Sequence, residues 1–250
     1  VRSTGKLRHL WRTRHLRRVW GIKDGDQVIV VCSELDEPAR RQQVEPREFI
    51  YSLKYGDVDA YFEVLVTLLR LYPSIRMRVI SAGEVETTRL DLSRHLIVIG
   101  GPDYNFLAKR VLSWNQTQFE YRSQHVSTCS TEHPEEIVLY DKARQAEYCH
   151  ETEMQDFGYF ERIPNPHNQK SRIIIIGGCH TIGVAGAVKA FSMAESEDGE
   201  IPSSVLSNAA LVARRIGKAN KFSVLVEVER IGQTVSVPLV REDHVTVSGE

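Results

Sequence analysis

Two short apolar stretches of this chain each end in a pair of glycines: IVIGG at Ile97–Gly101 and IIIGG at Ile174–Gly178. Each is a continuous apolar run of the kind that a buried parallel strand produces. Each is also followed by a segment with the composition of a helix. Because strand, glycine turn and helix is the repeating unit of open α/β sheets, the two stretches predict an α/β fold.

The rest of the chain alternates in the same way. Further strands are predicted at Val28–Cys32, Glu136–Asp141 and Asp156–Pro166, and helices fall between the strands. The segment Phe222–Val240 reads as strand, Ile-Gly-Gln turn and strand, which is typical of a β-hairpin. We therefore expect a Rossmann-like three-layer sandwich with a mostly parallel sheet and a C-terminal antiparallel β-hairpin. Residues 24–250 are expected to form this single domain.

Composition indicates a soluble globular protein. Hydrophobic residues make up 42% and charged residues 26% of the 250 residues, and the net charge of −1 argues against a surface given over entirely to nucleic acid. The four cysteines show no CxxC pair, and the nine histidines no metal-site spacing, so neither a metal nor a disulfide framework is predicted. No cofactor is predicted either, and a cytoplasmic, non-membrane protein is expected.

The first 23 residues form a basic segment with eight Lys and Arg side chains and no acidic one. Its apolar residues fall on two opposite sides of a helix wheel. This favours a helix held on two sides, or two short helices, that tether the domain to its neighbour or to a second subunit. The alternative is an arm that binds nucleic acid or an anionic membrane.

A binding crevice is the expected use of the two glycine pairs. In open parallel sheets, ligands bind outside the carboxyl ends of the strands. Glycine there lets a ligand approach the backbone, and the following helix offers unpaired N–H groups to an anion. The candidate ligand-binding residues are Gly100, Gly101, Pro102, Tyr104, Asn105, Gly177, Gly178, Cys179, His180 and Thr181.

Known nucleotide fingerprints do not match these corners. Gly178 and Gly183 have the spacing of P-loop glycines, but Val184 and Ala185 stand where Lys and Ser or Thr are required. There is no GxGxxG. Gly183 and Gly186 are therefore expected to let a helix lie close to the sheet.

The two strand-Gly-Gly corners, the loop Gly101-Pro102-Asp103-Tyr104-Asn105 and the segment DFGYFERIPNP cover about a quarter of the chain. On these features the chain resembles the Rossmann-like sensor and effector domains of bacterial defence systems. The resemblance implies recognition of a nucleotide, an NAD derivative or a cyclic nucleotide messenger. It carries no individual residue roles.

Chemistry is the second possibility. Cys179 lies between a buried strand and a helix start, where backbone N–H groups can lower a thiol pKa, and a distant histidine such as His95, His125 or His150 would have to serve as base. The alternative is a small buried cysteine beside a ligand contact. Acidic candidates for a nucleotide glycosidase or for ribose contacts, and one basic candidate for a phosphate, are Glu34, Asp36, Asp57, Asp59, Asp141, Asp156 and Arg162.

Three hypotheses therefore remain open. The first is a sensor or regulatory domain for a nucleotide-type ligand. The second is an enzyme, either a Cys179-dependent hydrolase or amidotransferase or a nucleotide glycosidase. The third is a module that binds nucleic acid or a partner through its basic arm. Separately, the chain could form a homodimer.

Overall fold

The computed structural model describes residues 10–35, 56–88, 90–114, 116–124, 136–149, 154–194 and 200–248. The strands are β1 (Gln27–Cys32), β2 (Arg76–Ser81), β3 (His95–Ile99), β4 (Phe119–Gln124), β5 (Glu136–Asp141), β6 (Ala146–Tyr148), β7 (Gln155–Asn165), β8 (Asn168–Gly178), β9 (Phe222–Ile231), β10 (Thr234–Val235) and β11 (Val245–Val247). The helices are α1 (Arg14–Trp20), α2 (Val58–Leu71), α3 (Ala82–Thr87), α4 (Phe106–Leu112), α5 (Thr181–Lys189) and α6 (Ser203–Ile216).

A large mixed sheet organises the molecule. Its strand order is β10-β9-β7-β8-β3-β1-β2, and β11 also pairs with β9. The strands β2, β1, β3 and β8 are parallel, whereas β7 and β9 run antiparallel to their neighbours. The expected α/β class is confirmed, but the sheet is parallel only over half its width, because the turn at residues 165–168 joins β7 directly to β8.

Apolar residues cover both faces of this sheet. One hydrophobic core packs α1, α2, α5 and α6 against the sheet, and the other packs α3 and α4 against the opposite face. The helix α2 shows why: its buried residues Ala60, Val64, Leu68 and Leu71 recur every three or four positions, which places them on one side of the helix. Complete burial of such a side chain contributes about 1.5–3 kcal/mol to stability.

A second, three-stranded antiparallel sheet is formed by β4, β5 and β6 in that order. Its residues Phe119 and Leu139 are fully buried in the core that contains α4. This sheet therefore lies beside α4, near the carboxyl end of β3. The strand β4 falls in a polar stretch for which the sequence predicted no element.

The carboxyl-terminal segment pairs less extensively than expected. The strand β10 contains only two residues, paired with Arg230 and Ile231 of β9. The segment from Ser236 to Val240 forms no strand, and its backbone is held instead by Asn208 of α6, whose side chain bonds Pro238 O and Val240 N.

The basic segment contributes a helix to the main core. Leu16, Val19 and Trp20 of α1 are fully buried, and the indole of Trp20 donates a hydrogen bond to Phe191 O at 3.2 Å. Trp11, on the other side, is two-thirds exposed. Residues 1–9 lie outside the described residues.

One expectation from the cysteines is wrong. Cys32 and Cys179 carry free thiols, but Cys149 is disulfide-bonded. Spacing along the chain gave no sign of this, because disulfide partners are selected by proximity in the fold. Within the described ranges, no helix is long and apolar enough to cross a bilayer.

Candidate ligand-binding site

Both glycine pairs leave the same edge of the sheet, as the sequence predicted. The strands β3 and β8 are parallel neighbours with Ile99 opposite Ile176. Gly100 N donates a hydrogen bond to Ile176 O at 2.9 Å, so the two corners lie side by side. The two corners nevertheless have different surroundings.

The first corner is open on one side. Gly100 is buried with a φ of +96°, a conformation that favours glycine, and a Cβ there would overlap the side chains of Ser33 and Asp57. Gly101 is half-buried, and a Cβ there would meet only the Tyr121 ring, at 3.5 Å. A ligand can therefore approach the backbone at Gly101 but not at Gly100.

The loop that follows combines exposed and fixed residues. Asp103 and Tyr104 are exposed, and Pro102 is half-buried. Asn105 is fully buried: its amide donates to Ile99 O at 2.8 Å, and its side-chain oxygen accepts from Ala108 N at 3.1 Å. Asn105 thus caps α4 and holds the end of β3. Few of its side-chain hydrogen-bonding positions remain for a ligand.

The second corner is filled by the protein itself. A Cβ on Gly178 would lie 2.6 Å from Val184 N, so this glycine is needed for close packing of α5 on the sheet. The same holds for Gly183 and Gly186, whose Cβ atoms would overlap Phe157 O and the Val228 side chain. The predicted close approach of this helix to the sheet is confirmed.

An internal carboxylate occupies the N-terminus of α5. Asp156 of β7 is buried, and its Oδ2 accepts hydrogen bonds from His180 N at 3.1 Å and Gly183 N at 2.6 Å. Burial raises the pKa of Asp156, although these backbone amides act in the opposite direction. The place that the sequence assigned to a ligand anion is thus taken by Asp156. His180 and Thr181 themselves are exposed.

Cys179 lies in a setting that does not activate a thiol. Its side chain is 3% exposed, and Sγ donates to Tyr148 O at 3.4 Å. Burial, together with the nearby charge of Asp156, raises the pKa of this thiol to about 12. Of its proposed histidine partners, His95 lies at the far, amino end of β3, while His125 and His150 are outside the described residues.

Tyr121 of β4 separates the two corners. Its hydroxyl donates to Gly178 O at 3.1 Å and lies where a Cβ on Gly177 would be, and its ring lies beside Gly101. Burial raises the pKa of this phenol, so the hydroxyl stays protonated and able to donate. A ligand at this edge therefore lies outside the Tyr121 ring rather than between the corners.

A groove of about 470 Å³ opens at that position, between α4 and the second sheet. Pro102 and Asp103 form its end nearest Gly101. The charged groups around the groove are three cations and two carboxylates: Lys109, Arg122, Lys142, Asp103 and Glu120.

The three cations of this groove differ in how they are held. The Arg122 guanidinium lies 3.4 Å from the Tyr140 ring centroid and pairs with Glu147 at 3.3 Å. Lys142 Nζ donates to Thr117 O at 3.1 Å. Lys109 is exposed and has no carboxylate partner within the described ranges. Lys109 and Lys142 therefore retain donors for an anion.

A buried acid beside Gly100, Asp57, is one of the acidic candidates from the sequence. It precedes α2, but its side chain makes no capping hydrogen bond. It accepts instead a short hydrogen bond from the Ser33 hydroxyl. Burial raises the pKa of Asp57, and the bond from Ser33 acts against that change. The pairing register of β1 brings Ser33 next to Gly100, and this register could not be predicted from the sequence.

The other candidates serve the fold. Glu34 accepts from Gly83 N at 2.9 Å, and Asp141 binds its own turn through Ala143 N at 3.0 Å. Arg162 donates to four backbone carbonyls at the amino end of the sheet, including Val19 O at 2.9 Å. Asp59 is exposed in the first turn of α2, and Asp36 lies outside the described residues.

Comparison with known protein families gives no match to this chain, and comparison with curated protein sequences finds no significantly similar protein. Within the described ranges, no group of three or more His, Cys, Asp or Glu side chains has metal-site geometry. The chemistry of the site is therefore inferred from its own residues.

Proposed function

We propose that this protein binds a nucleotide-type ligand, as a sensor or regulatory domain, in the groove beside Gly101. The observation that supports the proposal is the groove itself, whose wall begins at Pro102 and Asp103, directly after Gly101, and includes Lys109 and Lys142. Phosphate groups of a nucleotide would interact with these amines. Asp103 and Glu120, across the groove, offer carboxylates to ribose hydroxyls or to base amino groups.

A binding role agrees better with this edge than thiol chemistry does. Charged side chains and the phenol of Tyr121 line the groove, whereas the Cys179 thiol is buried and stays protonated. A reactive cysteine requires the opposite setting, with partial exposure and a lowered pKa. The hydrolase or amidotransferase hypothesis therefore has less support than ligand binding.

The test is thermal unfolding and calorimetric titration with ATP, NAD and cyclic nucleotides, with adenosine as the uncharged comparison. A ligand at a hundredfold excess over its dissociation constant should stabilise the fold by about 2.7 kcal/mol. Lys109→Gln should weaken binding about tenfold, since a hydrogen bond to a charged group contributes about 1.5 kcal/mol. Adenosine should bind far more weakly than its phosphorylated forms.

Two further variants make the result specific to this groove. Gly101→Ala adds a methyl group at ordinary contact distance from Tyr121, so the fold should persist while the ligand loses access. Arg78→Gln removes an exposed charge from the edge strand β2 and should leave affinity unchanged. If no phosphorylated compound shifts the unfolding temperature, or if Lys109→Gln and Arg78→Gln bind alike, the proposal is rejected.

A second candidate function is hydrolysis of a nucleotide glycosidic bond, favoured by the Ser33–Asp57 pair. Burial raises the pKa of the Asp57 carboxyl at the carboxyl edge of the parallel strands, which is the direction in which enzymes shift the pKa of a general acid. Asp57→Asn should then abolish release of the base while ligand affinity persists. Base release at the wild-type rate in Asp57→Asn excludes this candidate.

The three-layer arrangement and the cytoplasmic location that the sequence predicted remain proposals. The helices on the two faces of the main sheet support a Rossmann-like three-layer arrangement, closed by the short β9–β10 pairing. A cytoplasmic location is proposed from composition, and the disulfide of Cys149 weighs against it.

A further inference from the structure

A second groove, of about 420 Å³, lies at the opposite, amino edge of the sheet. It is formed by the segments that lead into β1, β3 and β8. Its lining is almost entirely polar, and four cationic side chains contribute to it: Lys23, Arg94, Lys170 and Arg172. None of these residues belongs to the groove beside Gly101.

The acids at this edge are bound by their own loops. Asp26 Oδ2 accepts from Lys23 N at 2.8 Å and lies 3.2 Å from His95 Nε2. Asp91 Oδ1 accepts from Ser93 N at 3.1 Å, and Asp24 Oδ1 accepts from Ser74 N at 2.7 Å. Asp91 Oδ2 also pairs with Arg94 Nε at 3.1 Å, so among the described residues the cations of the groove that have no carboxylate partner are Lys23, Lys170 and Arg172.

The histidine in this groove is held neutral. Arg172 N donates to His95 Nδ1 at 3.2 Å, so the proton of the neutral ring is on Nε2, which faces Asp26. Burial lowers the pKa of His95, and the nearby cations Arg172 and Lys23 lower it further, although Asp26 acts against them. The positive charge of the groove is therefore carried by its Lys and Arg side chains.

The lysines face outward without acidic partners. Lys23 and Lys170 are exposed, and neither pairs with a carboxylate in the part of the chain that the structure describes. Arg172 extends the positive surface, since its guanidinium donates to Asn220 Oδ1 at 3.1 Å and Asn220 follows the exposed Lys218. The cations thus lie along the edge rather than around one point.

An aromatic pair is connected to this groove through Asn165. The rings of Trp114 and His167 pack edge to face with centroids 5.9 Å apart. His167 N donates to Asn165 Oδ1, and the Asn165 amide donates to Leu92 O at 2.7 Å and to the carbonyl of the lining residue Arg94 at 2.8 Å. Cations along an edge with partly exposed rings beside them are characteristic of surfaces that follow a nucleic-acid strand.

We propose that this amino-edge groove binds the phosphate backbone of a nucleic-acid strand. A row of separate amines suits a chain of phosphates better than one phosphate, because no enclosed set of donors surrounds a single point. Of the basic N-terminal segment, only Gly21 and Lys23 line this groove, and its other lining residues belong to the loops and strands of the main sheet. The inference is also independent of the proposed nucleotide groove.

The test uses the full chain and fluorescence anisotropy of labelled single-stranded DNA and RNA of about 20 nucleotides, longer than common single-strand site sizes. Affinity should fall steeply between about 50 and 200 mM salt. The double variant Lys23→Gln, Lys170→Gln should bind more weakly and should reduce the magnitude of the salt slope by about 2, because each of the two lysines neutralises one phosphate.

A matched control removes two positive charges elsewhere. Arg78→Gln with Arg241→Gln has the same net charge as the groove variant, and both residues are exposed and neither lines the groove. This control should bind as the wild type does. Equal loss in both double variants, or no salt-sensitive binding by the wild type, overturns the proposal.

Two competitors distinguish a nucleic-acid strand in this groove from an acidic protein and from a mononucleotide. Polyglutamate of equal charge should displace the labelled strand poorly, and efficient displacement would assign the groove to an acidic protein instead. ATP and NAD should not displace the strand. If they do, the strand occupies the groove beside Gly101, and the present inference fails even though nucleotide binding stands.

Discussion

At the scale of single residues, Glu161 is the most unusual group in the core. It is fully buried in the middle of β7, and only one of its oxygens is satisfied, by Gln118 N at 2.7 Å. Burial raises the pKa of this carboxyl to about 8, while the amide of Gln118 and the charge of Lys221 offset part of the change. The folded protein thus holds a proton that the unfolded chain releases at lower pH.

This pKa gives a prediction about stability and pH. The contribution of protonated Glu161 is complete below pH about 4.3, the ordinary glutamate pKa, and is lost as pH rises through about 8. The Glu161→Gln variant has no titrating group at this position, so its unfolding free energy should fall less steeply with rising pH than that of the wild type. The two slopes should differ by up to about 1.4 kcal/mol per pH unit in that window. Urea unfolding from pH about 5 to about 8 measures this. Exposed Glu229→Gln is the control, and equal slopes in both variants contradict the prediction.

At the scale of elements, α5 depends on a carboxylate from another strand. Asp156 of β7 accepts from two amides at the start of the helix, His180 N and Gly183 N. Asp156→Ala should destabilise the protein by about 1–3 kcal/mol, because buried donors lose their partner. Asp59→Ala, in the first turn of α2 but exposed, should cost only a few tenths of a kcal/mol. Chemical denaturation of both variants checks this, and similar losses would mean that the cap is unimportant.

The same helix shows how much of the fold can be predicted from the sequence. Apolar runs and glycine pairs predicted β1, β3, β8 and the helices after them, because periodicity and turn chemistry are local properties. The polar strand β4 was missed, since its burial comes from packing against α4 and β7. The anion at α5 was expected from a ligand, because an acceptor 24 positions away in sequence leaves no local signal.

At the scale of the molecule, the candidate site was predicted in position but not in content. Local patterns indicated that Gly100 and Gly177 meet at one edge, and the register of β3 with β8 confirms this. The groove itself depends on where the second sheet docks beside α4, which brings Lys142 and Tyr121 to the corner. Such long-range packing is not encoded in the spacing of any short motif.

The two grooves lie at opposite ends of the parallel strands, which leads to a prediction about their coupling. The strand β1 has six residues, so the edges are separated by roughly 20 Å at about 3.3 Å per residue. Charges at that distance are largely screened at physiological salt, where the Debye length is about 8 Å, but much less so at 0.01 M, where it is about 30 Å.

If both ligands bind as proposed, saturating oligonucleotide should change the dissociation constant of a nucleotide by less than about twofold at 0.15 M salt, a difference below about 0.4 kcal/mol. At 0.01 M salt the oligonucleotide should weaken nucleotide binding more. Calorimetric titration of the nucleotide with and without oligonucleotide measures both cases. Strong coupling at 0.15 M would contradict a purely electrostatic link and would require two conformations of the sheet and its helices, each favoured by one ligand.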